Sequence, residues 1–420
     1  MSSDPRNPTR RPAIIAAASL CIASACSPAD SPPSGAVGDT VDGWGGTVDT
    51  LPSGRVVITN PDRPLWTTAE GWTLRELFRV GSLEGEHDAF GEIRDLELGP
   101  DGSLYVLDGQ ADDIRVFGPD GARARTIGRQ GEGPGELNAA AGMAWGPDER
   151  LWVMSWRNNR YTAFDPLTGE LAAEHRRLAS FASFPWPGAF AAGSLIDMGL
   201  RLDTPHGTPV LLRLDTAFVP RDTLPIPQPD ENSRVAFRHD GVLMMTMMDP
   251  FAASPAWAPH PRGGIVVGEG KEYRLHRIGF DGDTTMTIEI LREPVPISAS
   301  ERDSALAAFR ERTAQVMENG MVPDRDPRVP DVKPAHGGLF IDDRDRIWVF
   351  RANSPVPSWD VIAADGRFLG SVSAISGTRA AVRNGRLAMA TSEGGVPAVV
   401  VYDIVGAEGR DETPTGTQAP

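Results

Sequence analysis

From Gly46 onward, apolar and polar residues alternate over short runs that end in Gly, Pro or Asp clusters. That period-two pattern between turn residues is the mark of β-strands. Over Val80–Arg160 the pattern copies itself at a fixed offset of 47 residues. Val80-Gly81 returns as Ile127-Gly128, Phe90 as Leu137, Leu96 as Met143, and Gly99-Pro100-Asp101 as Gly146-Pro147-Asp148. Leu104-Tyr105-Val106 returns as Leu151-Trp152-Val153, and Phe117 as Phe164. A supersecondary unit repeated at this length indicates a propeller, a solenoid or another array.

The unit predicts four strands. In the first complete copy these are Ile93–Leu98, Leu104–Leu107, Asp113–Phe117 and Ala122–Ile127, with turns at Pro100-Asp101-Gly102 and Asp120-Gly121. The second copy runs from Ala141 to about Leu178. A diverged third is built from Ala189–Ala192, Leu195–Leu202, Val210–Leu214 and Asp222–Ile226. The fourth is read from Gly264–Gly268, Tyr273–Phe280 and Thr284–Leu291, preceded by the methionine-rich run Val235–Met248, which at strand spacing is expected to be core. The fifth comprises Leu339–Ile341, Ile347–Phe350, Trp359–Ala363 and Phe368–Val372. The last has only three strands, Ala380–Arg383, Leu387–Ala390 and Ala398–Ile404.

Between the fourth and fifth units one helix is predicted. Ser298-Ala299-Ser300-Glu301 has capping-box spacing and Gly320 stands where a helix would stop. Ala305, Leu306, Phe309, Thr313, Val316 and Met317 share one face, so the helix should lie on the body. Near the N-terminus, Thr47–Leu51 and Arg55–Ile58 read as a hairpin. Trp72–Val80 ends in the Val-Gly pair of a fourth strand and has no first three before it. The chain thus begins with an orphan fourth strand and ends with a unit lacking one. Joining them predicts an all-β, six-bladed β-propeller in which an N-terminal strand closes the last blade. Closure protects sheet edges that would otherwise be unpaired.

The ends of the 420-residue chain change the picture of where it works. Arg6, Arg10 and Arg11 precede an apolar run, Ala13–Ala25, too short to span a bilayer and suited to an export signal. The run ends in Ala23-Ser24-Ala25-Cys26, which resembles a bacterial lipobox. Two outcomes follow: lipidation of Cys26 as the new N-terminus, or cleavage after Ala25 beside an incidental Cys. Cys21 would leave with the signal, so structural disulfides and Cys-based zinc sites are excluded from the mature chain. The expected organisation is a signal at 1–26, a tether at 27–45, the propeller at 46–406 and a polar tail at 407–420. The expected location is the cell envelope, outer membrane or periplasmic face. A net charge of −16 argues against nucleic acid. Only Lys271 and Lys333 are lysines; every other basic residue but histidine is Arg.

At Gly128–Leu137 the sequence resembles the repeat of NHL-type β-propellers, and most of all the bacterial six-bladed propeller lipoproteins. The matching pattern is Pro100-Asp101-Gly102, Leu104-Tyr105-Val106-Leu107-Asp108, Ile114-Arg115-Val116-Phe117 and Asp120-Gly121. The match is specific for two blades, good in the fifth and weak in the third and fourth. The resemblance implies a fold and an exported location, and no settled reaction.

Candidate chemistry is sparse. The glycine loop 128–135 lacks Gly-Lys-Ser/Thr and leads into a strand, so it reads as a corner between blades and not as a phosphate cradle. Asp342–Asp345 lacks the Gly and distal Glu of a calcium loop and reads as a solvated hairpin tip. None of the seven histidines recurs from blade to blade, and no metal-ligand spacing is present. His260 and His336 are expected just before the first strands of their blades, at the channel mouth. Arg94 and Lys333 are expected near the same mouth, where grouped cations would suit an anionic ligand. Among the tryptophans, Trp152 and Trp348 sit at core positions, while Trp186 and Trp257 are freer to meet a ligand, with packing the favoured role for both. No cofactor and no metal site are identified. The expected role is a monomeric binding or scaffold module for a protein, peptide or small ligand at one propeller face. The alternative is a lactonase-like, metal-dependent hydrolase or lyase with its site in the central channel.

Overall fold

The fold was read from a computed structural model, which describes residues 43–67, 71–82, 88–179, 185–201, 208–351, 354, 356, 358–373, 377 and 379–406. The expected signal with Cys26, most of the tether and the polar tail lie outside the described residues. Strands β1 (Thr47–Thr50), β2 (Val56–Pro61) and β3 (Thr73–Val80) come first. A first sheet follows from β4 (Ile93–Leu98), β5 (Leu104–Asp108), β6 (Asp113–Phe117) and β7 (Arg123–Ile127). The second holds β8 (Ala140–Trp145), β9 (Leu151–Ser155), β10 (Arg160–Phe164) and β11 (Leu171–Arg176). The third holds β12 (Ala189–Ala191), β13 (Ser194–Arg201), β14 (Thr208–Leu214) and β15 (Pro220–Pro225). An extra hairpin, β16 (Arg234–His239) and β17 (Val242–Met248), precedes the fourth sheet. That sheet is β18 (Ala256–Pro259), β19 (Ile265–Gly268), β20 (Arg274–Ile278) and β21 (Thr284–Leu291). Helix α1 (Ala299–Glu318) and β22 (Val322–Pro323) lead to the fifth: β23 (Leu339–Ile341), β24 (Ile347–Phe350), β25 (Ser358–Ile362) and β26 (Phe368–Ser373). The sixth is β27 (Arg379–Arg383), β28 (Arg386–Glu393), β29 (Val396–Val405) and, from the other end of the chain, β3.

The six sheets are equivalent by register as well as by strand number. Each is an antiparallel meander, and in each the pairing of third and fourth strands slips by one residue within the third, at its last residue in the first five sheets. The slips fall at Val116/Phe117, Ala163/Phe164, Arg213/Leu214, Arg277/Ile278, Val361/Ile362 and Val401/Tyr402. A bulge there increases the twist of the outer strand. The 47-residue offset reappears as a second slip between first and second strands, at Ile93/Asp95 and Ala140/Gly142.

Apolar side chains join consecutive sheets and close the circle. Leu107, Ile127, Leu137 and Met143 lie between the first and second sheets, and Met154, Tyr161, Leu195 and Phe218 between the second and third. Ile196, Leu224 and Ile265 join third to fourth, and Leu275, Ile288 and Phe368 join fourth to fifth. Trp348, Leu369 and Val400 join fifth to sixth, and Val399, Leu96 and Leu104 return from the sixth to the first. The chain is an all-β propeller. Burial of this much aliphatic surface is the main stabilising term, at about 25 cal/mol per Å² removed from water.

The N-terminal segment does more than the sequence suggests. Strand β3 pairs with β29 as expected, Val80 opposite Val399 and Thr73 opposite Val405. Before that, β2 pairs in parallel with β21 and extends the fourth sheet to six strands. Buried Asn60 fastens it: the side-chain amide donates to the carbonyls of Glu289 (3.1 Å) and Gly366 (3.0 Å), and its oxygen accepts from Trp44 Nε1 (3.0 Å) and Phe368 N (2.7 Å). Leu65 N and Trp66 N then donate to Phe368 O and Leu369 O at the edge of the fifth sheet. One segment thus covers the outer edges of two sheets and completes a third.

Two expectations require correction. The fourth sheet's first strand is Ala256–Pro259, which its prolines hide from a strand reading. The methionine-rich strand β17 lies outside that sheet and is not core. Val242, Leu243, Met244 and Met245 are exposed, by 63% in the first case. β17 is an edge of a small sheet, β17–β16–β22, under which helix α1 packs. The core of this unit is Val235, Phe237 and Phe309, with Met247, Val316 and Met321 against it. The helix therefore rests on the hairpin, and Met317 is exposed. Its start is as expected: Ser298 Oγ accepts from Glu301 N (3.3 Å) and Glu301 Oε2 accepts from Ser298 N (3.0 Å).

Candidate functional site

The two insertions, one before and one after the fourth sheet, meet at the end of that sheet where β18 begins. Asp249, at the end of β17, is their fastening point. Its oxygens accept from Arg325 Nη1 (2.9 Å) and Nη2 (2.8 Å) and from Arg328 N (3.0 Å). The proline-rich return then runs beside the segment that leaves β21: Ile297 N donates to Asp331 O and Lys333 N to Val295 O. Ala335 N donates to Gly270 O in the β19–β20 turn.

A cleft of about 540 Å³ opens among these segments, lined by Phe251, Ala253, Val329, Val332 and Pro334 with Lys271, Arg328 and Lys333. A smaller hollow of about 220 Å³ adjoins it and shares Lys271, Val332 and Lys333. Both lysines of the chain therefore stand on the ridge between the two hollows. Lys333 Nζ is 2.6 Å from Glu301 Oε1, which with the Ser298 bonds pushes that carboxyl down to about 2. Lys271 Nζ is 3.7 Å from Asp230 and largely exposed. The Arg328 guanidinium makes no hydrogen bond or ion pair among the described residues. The cleft thus combines apolar side chains with three cations, inside a protein of net charge −16.

The floor beside it is fully committed. Tyr273 Oη donates to Asp360 Oδ2 (2.8 Å), Arg292 pairs with the same carboxylate, and Ser371 Oγ donates to Asp360 Oδ1. His336 is buried here. Its Nε2 accepts from Gly270 N (3.2 Å) and its Nδ1 faces Gly337 O (3.0 Å). Burial holds its pKa below the usual imidazole value. A neutral imidazole that accepts at Nε2 carries its proton on Nδ1, toward the Gly337 carbonyl.

Of the five residues singled out from sequence, the structure brings only Lys333 and His336 together. His260 follows the first strand of its sheet instead of preceding it, so it sits at the opposite end of the fourth sheet. It is buried, accepts from Arg262 N at Nδ1 (3.1 Å), and burial pushes its pKa down to about 4. It closes a turn. Trp186 is buried and donates to Asp197 Oδ1 (2.7 Å), in a cluster where Arg177 gives Asp197 two further bonds (2.7 and 3.1 Å). Arg94 stands three sheets away and donates to Glu92 (2.8 Å). Asp342, expected at a solvated tip, is buried and accepts from Arg344 N, Arg346 and Trp348 Nε1.

A second polar group was not anticipated. Asp95 and Glu97 on β4, with Arg379 and Arg383 on β27, lie on the innermost strands of the first and last sheets. Asp95 accepts from Met143 N of β8 (2.8 Å). Burial pushes Asp95 up to about 6; burial, with Asp95 beside it, pushes Glu97 up to about 8. The available signal was the alternation in Ile93–Leu98, where these acids oppose core Leu96 and Leu98. Among the described residues no three His, Cys, Asp or Glu side chains come together as metal ligands.

No protein-family model matches the chain, and no curated protein matches it. Solved structures do. A Bacteroides fragilis protein designated an exported protein is 9% identical, with 82% of this chain and 98% of that one aligned and a TM-score of 0.48. A streptogramin B lyase is 11% identical over 79% and 98% of the two chains, with a TM-score of 0.42. The Swd1 β-propeller domain of Myceliophteria thermophila is 10% identical over 74% and 97%, with a TM-score of 0.36. These are likenesses of fold.

Proposed function

We propose that the protein is an exported, six-bladed propeller of NHL type, lipid-anchored through Cys26, and that it acts as a non-catalytic binding or scaffold module in the cell envelope. The observation that supports this reading is the cleft built by two separate insertions on one end of the fourth sheet. A rigid ring carrying variable loops is the usual way such folds acquire ligands. The volume of the cleft falls within the range of small-molecule sites. Screening the full-length protein against a small-molecule library, with hydrogen exchange to locate bound members, tests the reading. Protection is expected at 249–256 and 327–336. Protection confined to the central channel, or turnover of library members, would overturn it.

The second reading, a hydrolase or lyase in the channel, draws on Asp95 and Glu97. A carboxyl that keeps its proton near neutral pH suits a general acid. In that case turnover would be lost in Glu97→Gln and kept in variants of the cleft.

A further inference from the structure

We infer that the cleft between the fourth sheet and the two insertions binds a small amphipathic carboxylate, with Arg328 and Lys271 holding the anionic head and the groove of Phe251, Val329 and Val332 holding the apolar tail. This rests on the proposed binding role and names the ligand class for that same site.

Four observations carry it. First, the lining combines apolar Phe251, Ala253, Val329, Val332 and Pro334 with the cations Lys271, Arg328 and Lys333, of which Lys271 and Arg328 are exposed. Second, the cations are underused. The Arg328 guanidinium has no partner among the described residues, and Lys271 has only a long contact with Asp230. Third, the acid in the lining gives no competing anion, because both oxygens of Asp249 are bound by Arg325 and by the Arg328 amide. Fourth, the chain spends its only two lysines here, although it uses Arg almost everywhere else. An ammonium is a compact charge on a flexible stem, whereas a guanidinium offers a planar fork; together they can follow a head group without a fixed cage. Lys333 is already neutralised by Glu301 at 2.6 Å, so the uncompensated charge is about that of one or two cations. That suits a monoanion better than a phosphate dianion, which favours several converging charges and backbone N–H groups.

The test uses octanoate, octanamide, octyl phosphate and octylammonium, titrated calorimetrically into the full-length protein. Octanoate is expected to bind, octanamide about tenfold more weakly, and octylammonium not at all. Arg328→Gln and Lys271→Gln should each weaken octanoate about five- to tenfold and leave octanamide unchanged, and Arg328→Lys should recover most of the loss. Both side chains are exposed, so unchanged thermal unfolding of the variants verifies that only the site has altered. Equal binding of octanoate and octanamide would overturn the inference and leave an uncharged groove in place. Tighter binding of octyl phosphate, or any binding of octylammonium, would overturn it as well. Failure of all four to bind at millimolar concentration would do so too, while protection of 249–256 by some other library member would keep the wider binding role.

Discussion

The first two sheets and the fourth sheet with its insertions use their polar residues in opposite ways. In the first two, most of the aspartates are spent on the chain itself. Asp108 accepts from Gly91 N (2.9 Å), Glu92 N (3.1 Å) and Gln110 N (3.0 Å) and pairs with Arg115 (3.1 Å). Four residues on, Asp112 accepts from Ala139 N and Ala140 N, at the start of the second sheet. Glu136 accepts from Gly133 N and Arg129 inside the glycine loop, whose Leu137 is fully buried between sheets. In the fourth sheet the insertions leave Arg328 and Lys271 at an apolar groove with little to do. The most motif-like residues are therefore structural, and the residues free to meet a ligand lie where the repeat is least regular.

The largest expected effect breaks this comparison on its structural side. Asp108→Ala strips an acceptor from four backbone N–H groups and leaves Arg115 with Asp113 as its remaining carboxylate partner. Leaving such donors unpaired costs on the order of 3–5 kcal/mol. Urea unfolding should show that loss, whereas Arg328→Gln should move the same midpoint by less than about 0.5 kcal/mol. Comparable losses in the two variants would mean that the cleft is as structural as the corners.

Glu97 tests the comparison from inside the first sheet, because among the described residues its carboxyl accepts no hydrogen bond. Its folded-state pKa is raised from 4.5 to about 8. The folded protein thus holds a proton that the unfolded chain releases, so stability falls as pH rises from the unfolded value toward the folded one. Glu97→Gln removes that loss. It should stabilise the protein at pH 8 by about 1–2 kcal/mol, a figure reduced for partial access of channel water, and the gain should vanish near pH 4.5. Thermal unfolding at the two pH values measures it. A pH-independent gain would place Glu97 in an ordinary solvated setting.

The regular regions were legible because register and chemistry coincide there. The 47-residue offset, the orphan strand that became β3, and the capping box at Ser298 all follow from local patterns that tertiary structure did not override. Strand β18 was not legible, since Ala-Trp-Ala-Pro between prolines carries no alternation, and misplacing it put His260 at the wrong end of its sheet. The exposure of β17 was hidden for another reason. Apolar alternation reports that a strand could be buried, and only the tertiary arrangement leaves that strand at an edge. Nor does any local pattern mark the pairing of β2 with β21, whose partners are more than 200 residues apart. The channel acids were visible as alternation, but their environment depends on β27 and β8 arriving beside them.

The smallest expected effect sharpens the comparison within the repeat. Gly102 and Glu149 occupy the same turn position, 47 residues apart, and both have positive φ, +81° and +58°. Both turns close through the same bonds: Gly102 N donates to Gly99 O (3.0 Å) and Glu149 N to Gly146 O (3.1 Å). A side chain in the left-handed region costs about 1 kcal/mol relative to glycine, while glycine adds back part of that through the entropy of the unfolded chain. Glu149→Gly should therefore stabilise the protein by about 0.5 kcal/mol, read as a small rise in the urea midpoint at constant m-value. Glu149 is exposed, and its only charged neighbours in the turn, Asp148 and Arg150, already face each other at 3.4 Å. A loss of stability would mean that the second turn depends on the Glu149 side chain itself, and that the two copies keep one backbone path by different means.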